Sequence, residues 1–238
     1  MADFTRNTIL IICALVLLLA GCSTGSYLEK SLRDRVSDLQ IHSKGDSHFV
    51  VTRNGNLAGS TVFSIEERQV QVEEFINKYK SDFGITSNDD LQFVRYGTEF
   101  DFEFADRVMA GLPLLQYING LRILDREQLG VFDLESGTFK AAKISVADPS
   151  SLKGVSIPRN KDAIHSMAAK FLQAQGIVCT EMTIFDEPAY SLAAGLAGFE
   201  VRCTAQPNSQ YLMRIRLLVN TDSGRVVFVS KEEIDIPK

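Results

Sequence analysis

The stretch Leu114–Leu124 reads Leu-Leu-Gln-Tyr-Ile-Asn-Gly-Leu-Arg-Ile-Leu. Two apolar runs flank Asn119-Gly120. Asn-Gly favours a two-residue hairpin because both central residues of a type I′ turn need φ > 0. The pattern therefore predicts that Leu114–Ile118 and Leu121–Leu129 pair antiparallel. A second turn is expected at Asp133-Leu-Glu-Ser-Gly137, after which Thr138–Val146 returns as a third strand. A meander of this kind must bury its apolar face against another layer.

The flanking sequence supplies candidates for that layer. Ser64-Ile-Glu-Glu67 is a capping box, in which Ser64 accepts from the N3 amide and Glu67 reaches back to the N-cap. The helix it opens carries Ile65, Val72, Phe75, Ile76, Tyr79 and Phe83 along one stripe. Gly84 suits the left-handed position that ends such a helix. Upstream, Tyr27–Ile41 has the apolar spacing of a second amphipathic helix, and Phe49–Arg53 and Thr61–Phe63 read as short strands. Glu99-Phe-Asp-Phe-Glu-Phe104 alternates with period 2, so its acids share one strand face. At about 6.6–7 Å apart they are too far from one another to grip one ion unaided, and a solvated face is the simpler reading. Asp148–Gly154 is the best internal linker. Beyond it Asn160–Gln175 has helical spacing, closed by Gly176. Strands follow at Val178–Phe185, Phe199–Thr204, Tyr211–Val219 and Arg225–Ser230. The turn Phe132-Asp-Leu-Glu-Ser-Gly-Thr-Phe139 is echoed by Val219-Asn-Thr-Asp-Ser-Gly-Arg-Val226, which places Gly224 where Gly137 stands. A helix followed by antiparallel strands thus occurs twice. The expected fold class is α+β, with two helix-on-antiparallel-sheet modules.

The N-terminus reads as an address. Ile9–Ala20 is an unbroken apolar run, shorter than the roughly 20 residues of a membrane span and right for a signal-peptide core. It ends in Leu19-Ala-Gly-Cys22, which resembles the bacterial lipobox. In lipoproteins of that kind the cysteine thiol takes the lipid and becomes the mature N-terminus. That resemblance implies a signal peptide over 1–21, lipidation at Cys22 (palmitate among the acyl groups) and a tether and first elements over 22–63. It also implies a location in the bacterial cell envelope. Ser23, where an Asp would favour the inner membrane, points to the outer membrane and its periplasmic face. A net charge of −5 argues against a nucleic-acid partner.

Gln116-Tyr-Ile-Asn-Gly-Leu-Arg-Ile123, followed by Val131 and Ser136-Gly137, resembles the propeptide module of thermolysin- and fungalysin-type proteases. The second half opens a helix at Lys161-Asp-Ala163 and ends in Val219-Asn-Thr-Asp-Ser-Gly-Arg-Val-Val227. It is similar to a PepSY domain. These resemblances imply two cystatin-like modules, over 64–148 and 157–238, with Gln116, Asn119, Gly120, Gly137 and Gly224 as structural motif residues. Arg122 departs from the pattern, which often has Pro there, and no protease is expected to follow the two modules.

No sequence signature of catalysis is present. His-Glu-x-x-His, a Gly-x-Ser-x-Gly elbow and a phosphate-binding loop are all missing, and the three histidines, His42, His48 and His165, are scattered. No cofactor, metal site or enzymatic activity is expected. Arg202, Arg214, Arg216 and Arg225 fall on neighbouring strands, either as a solvated face with cross-strand acids or as a surface for an anionic partner. Of the four cysteines, Cys179 and Cys203 remain in the folded part. An antiparallel pair folding about a loop at Glu187–Gly198 would bring them opposite each other, and an oxidising compartment favours a bridge. The alternative is two separate buried thiols. The resemblance implies a non-enzymatic, lipid-anchored protein that inhibits or chaperones a secreted metallopeptidase in trans. A structural or scaffolding lipoprotein that binds other envelope proteins is the competing expectation.

Overall fold

The structure is a computed structural model that describes residues 36–235 apart from 37, 45, 105 and 208–210. The expected leader, the Cys22 anchor and most of the expected Tyr27–Ile41 helix lie outside the described residues. The last two positions of that helix are strand instead.

The described residues form eleven strands: β1 (Gln40–Lys44), β2 (Ser47–Val51), β3 (Gln92–Arg95), β4 (Phe100–Phe104), β5 (Arg107–Ile118), β6 (Leu121–Asp133), β7 (Thr138–Ile144), β8 (Cys179–Ser191), β9 (Leu196–Ala205), β10 (Tyr211–Asn220) and β11 (Arg225–Asp235). They also contain two α-helices, α1 (Ile65–Lys78) and α2 (Ile164–Ala174). The expected fold class is therefore corrected. Two separate α+β modules, each with its own antiparallel sheet, are not what forms. The molecule is mostly β, and hydrogen bonding joins all eleven strands into one mixed sheet. The cause lies in β6, whose Arg122 and Ile123 pair parallel with Ala189 and Tyr190 of β8. A period-2 pattern identifies a strand without naming the neighbour it will pair with. The expected strand at Thr61–Phe63 is also absent. That segment is tied instead by a backbone bond from the Val62 amide to the Gly137 carbonyl, 2.9 Å, and by the Phe63 amide donating to Glu67 Oε2 at 3.4 Å.

The chain divides into two compact units. The first comprises residues up to Gln116 together with Arg126–Ser151. Its helix α1 starts as a capping box: the Glu67 amide donates to Ser64 Oγ at 3.2 Å, and the Ser64 amide donates to Glu67 Oε2 at 3.1 Å. Val72, Phe75 and Ile76 are buried against Phe132 and Phe139, whose rings stack at 4.8 Å. Gly130 makes this close approach possible, since a Cβ there would lie 2.4 Å from Val72 Cγ2. A short 3₁₀ turn, Lys80–Phe83, then ends at Gly84 with φ 79°.

In the same unit, His48 packs on the Phe83 ring at 5.3 Å and bonds Ser43 Oγ through Nδ1 at 2.9 Å. Burial pushes the His48 pKa below its ordinary 6.5, against the pull of Asp46. The unfolded chain therefore binds a proton at higher pH than the folded one, and stability falls as pH drops through about 6.5. The melting temperature should be lower at pH 5.5 than at pH 7.5. In His48→Asn that difference should shrink, which differential scanning calorimetry at the two pH values checks.

The second unit comprises Tyr117–Asp125 and Leu152 onward, so the boundary at residue 151 falls inside the expected linker. Asn119 and Gly120 form the hairpin turn with φ of 51° and 78°. Helix α2 buries Ile164, Ala168 and Leu172 against Phe199, Val201, Ile215 and Leu217. Gly224 closes the turn between β10 and β11 at φ 71°.

Candidate functional site

In the second unit, period 2 sends Val201 and Cys203 of β9 toward α2 and Glu200 and Arg202 to the other face. Glu200 is fully buried there. Its carboxylate takes Arg202 Nε at 2.9 Å, Arg216 Nε at 3.0 Å and Arg122 Nη2 at 3.4 Å. Arg122 also reaches Glu187 at 3.4 Å, and the Arg122 and Arg202 guanidinium groups lie 5.3 and 4.3 Å from the centroid of the Phe185 ring. Of the four arginines singled out in the sequence, Arg202 and Arg216 sit directly opposite each other and share this acid. Arg214 faces Glu232 across the β10–β11 pair, and Arg225 lies at the turn end of that pair. Sequence reasoning missed Glu200 as the centre of the group and Arg122 as its third cation. The available signal was Arg122 itself, a charged residue where the resembled pattern often has Pro. The cluster also fixes the hairpin tip, with help from Asp125, which accepts from Ser191 Oγ and the Ala193 amide, both at 2.9 Å.

Strand β8 of this unit has an open edge. It pairs with β9 along most of its length, whereas its parallel pairing with β6 involves only Ala189 and Tyr190. From Cys179 to Glu187 the second edge has no strand partner among the described residues. Glu181, Ile184, Asp186 and Glu187 are exposed there, and Val178, just before the strand, is 80% exposed. Cys179 and Cys203 are joined by a disulfide with Cα atoms 5.8 Å apart. Bulges after Cys179 and after Ile184 shift the register, so Cys203 faces Met182 and Cys179 faces Ala205. The bridge therefore crosses a diagonal of the ladder. The expected loop at Glu187–Gly198 is shorter than its pattern suggests, since β8 continues to Ser191 and β9 begins at Leu196.

In the first unit, Gln116 is fully buried and its amide works as a piece of backbone. Nε2 donates to the Ala147 carbonyl at 2.8 Å, and Oε1 accepts from the Ala147 amide at 2.7 Å. Gly137, φ 65°, closes the turn whose Asp133 side chain accepts from the Glu135 and Ser136 amides. Burial alone would raise the Asp133 carboxyl. The Ser136 amide and the Arg107 guanidinium, 2.6 Å away, hold it below the ordinary range. The sheet face turned away from α1 carries a cavity of about 400 Å³. Phe102, Met109 and Val131 form its buried floor, and Lys140 and Lys143 are among the residues around it.

Among the described residues, no group of three or more His, Cys, Asp or Glu side chains is placed to hold a metal ion. None of the helices among them is long and apolar enough to cross a membrane.

No family model matches the chain, and neither does any curated protein sequence. Among solved structures, the Bacillus megaterium YpeB C-terminal domain is matched over 90% of this chain and 99% of its own length, at 14% identity and a TM-score of 0.32.

Proposed function

We propose that this is a non-catalytic protein of the bacterial cell envelope, held to the outer membrane by a lipid on Cys22. In this reading it binds a secreted peptidase in trans and inhibits it or assists its folding. The observation that supports it is the open edge of β8 between Cys179 and Glu187. An exposed edge offers main-chain donors and acceptors to an added strand, and peptidases hold polypeptide in extended form. The disulfide to β9 braces the edge before any partner arrives, which lowers the ordering cost of association. Glu181, Asp186 and Glu187 discourage pairing between two copies of the same edge and favour a partner with a basic rim.

Titrating the mature protein into a panel of secreted thermolysin-like peptidases should give a saturable loss of activity, or a gain in refolding yield, for at least one of them. Glu181→Lys combined with Asp186→Lys should weaken that effect at least tenfold. Mass spectrometry of the same preparation should show an N-terminus at acylated Cys22. A Met1 start would remove the anchor from the account. No effect across the panel, together with capture of only non-peptidase envelope proteins, would overturn the peptidase reading in favour of a scaffolding role.

A further inference from the structure

The first unit has one sheet face that its own helix, α1, does not cover. Neighbouring residues on a strand point to opposite faces. Val50, Phe132 and Ala142 belong to the core with α1, while Phe49, Val51, Leu129, Val131, Ala141 and Lys143 line the cavity. The register aligns them in rows. Val51 faces Ala141 and Ala141 faces Val131; in the next row Phe49 faces Lys143 and Lys143 faces Leu129. Met109 faces Phe102 farther across. From β7 to β4 the face spans three strand spacings, about 14 Å.

Charge on this face is uneven. Both carboxylates around the cavity have partners: Asp133 holds Arg107, and Asp38 takes the Asn54 amide. Lys140 donates to the Gly55 carbonyl at 2.9 Å. Lys143 has no hydrogen bond or ion pair among the described residues, and it sits half-buried between Phe49 and Leu129. A solitary ammonium flanked by apolar side chains favours an anion arriving with an apolar body.

The backbone decides what kind of body. β7 is paired on both sides, by β2 and β6, and β5 is paired by β4 and β6. The main chain of β5, β6 and β7 is therefore engaged in its own ladders, and only β4 keeps one open edge among the described residues. A polypeptide laid on it would bury its own amides and carbonyls without partners, at a cost of roughly 1–3 kcal/mol for each. A hydrocarbon chain brings no such groups. The volume of about 400 Å³ lies within the range of small-molecule sites.

We propose that this face binds a long-chain acyl carboxylate, with its chain over Phe102, Met109 and Val131 and its carboxylate on Lys143. The site is confined to the first unit, so it is independent of the strand edge assigned above to a peptidase.

The test uses the mature protein and a fluorescent polyunsaturated fatty acid, displaced by palmitate. Saturable one-to-one binding is expected. Lys143→Met should weaken it at least tenfold, and methyl palmitate should compete at least tenfold less well than palmitate. Val131→Asp should abolish binding. Lys143→Met, which changes a half-buried side chain, keeps the test valid if the core variant fails to fold, and circular dichroism distinguishes the two cases. Absence of saturable binding would overturn the proposal. So would equal competition by acid and ester, an unchanged Lys143→Met, or displacement by an apolar octapeptide as effective as palmitate.

Discussion

Glu200→Ala is expected to destabilise the protein by about 3–5 kcal/mol, the cost of removing one partner from a buried ion group. The carboxylate is fully buried and gathers Arg122, Arg202 and Arg216. Their side chains are 7%, 38% and 16% exposed, so Arg122 in particular cannot recover its hydration when the acid is lost. Three guanidinium groups would then lie close together, with the largely exposed Glu187 still on Arg122. The geometry is also imperfect. Arg122 Nε and Nη2 and Glu200 Oε2 lie buried without a well-aligned hydrogen bond. Replacing Arg122 and Glu200 together by Met should therefore recover a large part of the loss, because an apolar pair avoids desolvating two charges. Urea unfolding of Arg122→Met, Glu200→Met and the double variant gives the coupling energy directly. A Glu200→Ala protein within about 1 kcal/mol of the parent, the level of an exposed pair, would contradict a central role for this carboxylate.

Gln116→Leu should cost about 3 kcal/mol, and the reason is local to the first unit. After β7 ends at Ile144, the chain at 145–147 leaves the ladder while still buried. Two glutamines take the place of the missing strand. Gln116 bonds both backbone groups of Ala147, and Gln128 bonds both of Ser145 at 2.6 Å each. Leucine fills a similar volume but leaves the Ala147 amide and carbonyl unpaired, at roughly 1–3 kcal/mol per group. The Ala147 amide should exchange markedly faster in the variant than in the parent. A Gln116→Leu protein with unchanged stability and unchanged Ala147 exchange would show that water or a small shift of the backbone satisfies those groups instead.

Features set by a few adjacent residues are legible in the sequence itself. Asn119-Gly120 requires its turn, Ser64 and Glu67 require their cap, and Gly84 requires its left-handed stop. What escapes a sequence reading is long-range. Gln116 stands in a recognisable motif, but its task depends on where residue 147 passes. Glu200 alternates with Phe199 and Val201 just as a solvent-facing acid would, because periodicity tells which face a residue occupies and not whether that face is covered. The same limit hides the cavity. Phe102 reads as ordinary core, and Lys143 as an ordinary surface cation, until the rows across β2, β7 and β6 are aligned. The single-sheet architecture is hidden for a related reason, since the parallel contact of Arg122 with Ala189 leaves no mark on local pattern.

The central claim is that the edge of β8 is where a peptidase docks. Amide hydrogen exchange on the mature protein, with and without the peptidase it retards, tests this most directly. The account predicts slowed exchange across Cys179–Glu187, with the other long edge strand, β11, unchanged. Unchanged exchange at Cys179–Glu187, with protection elsewhere in the complex, would contradict it.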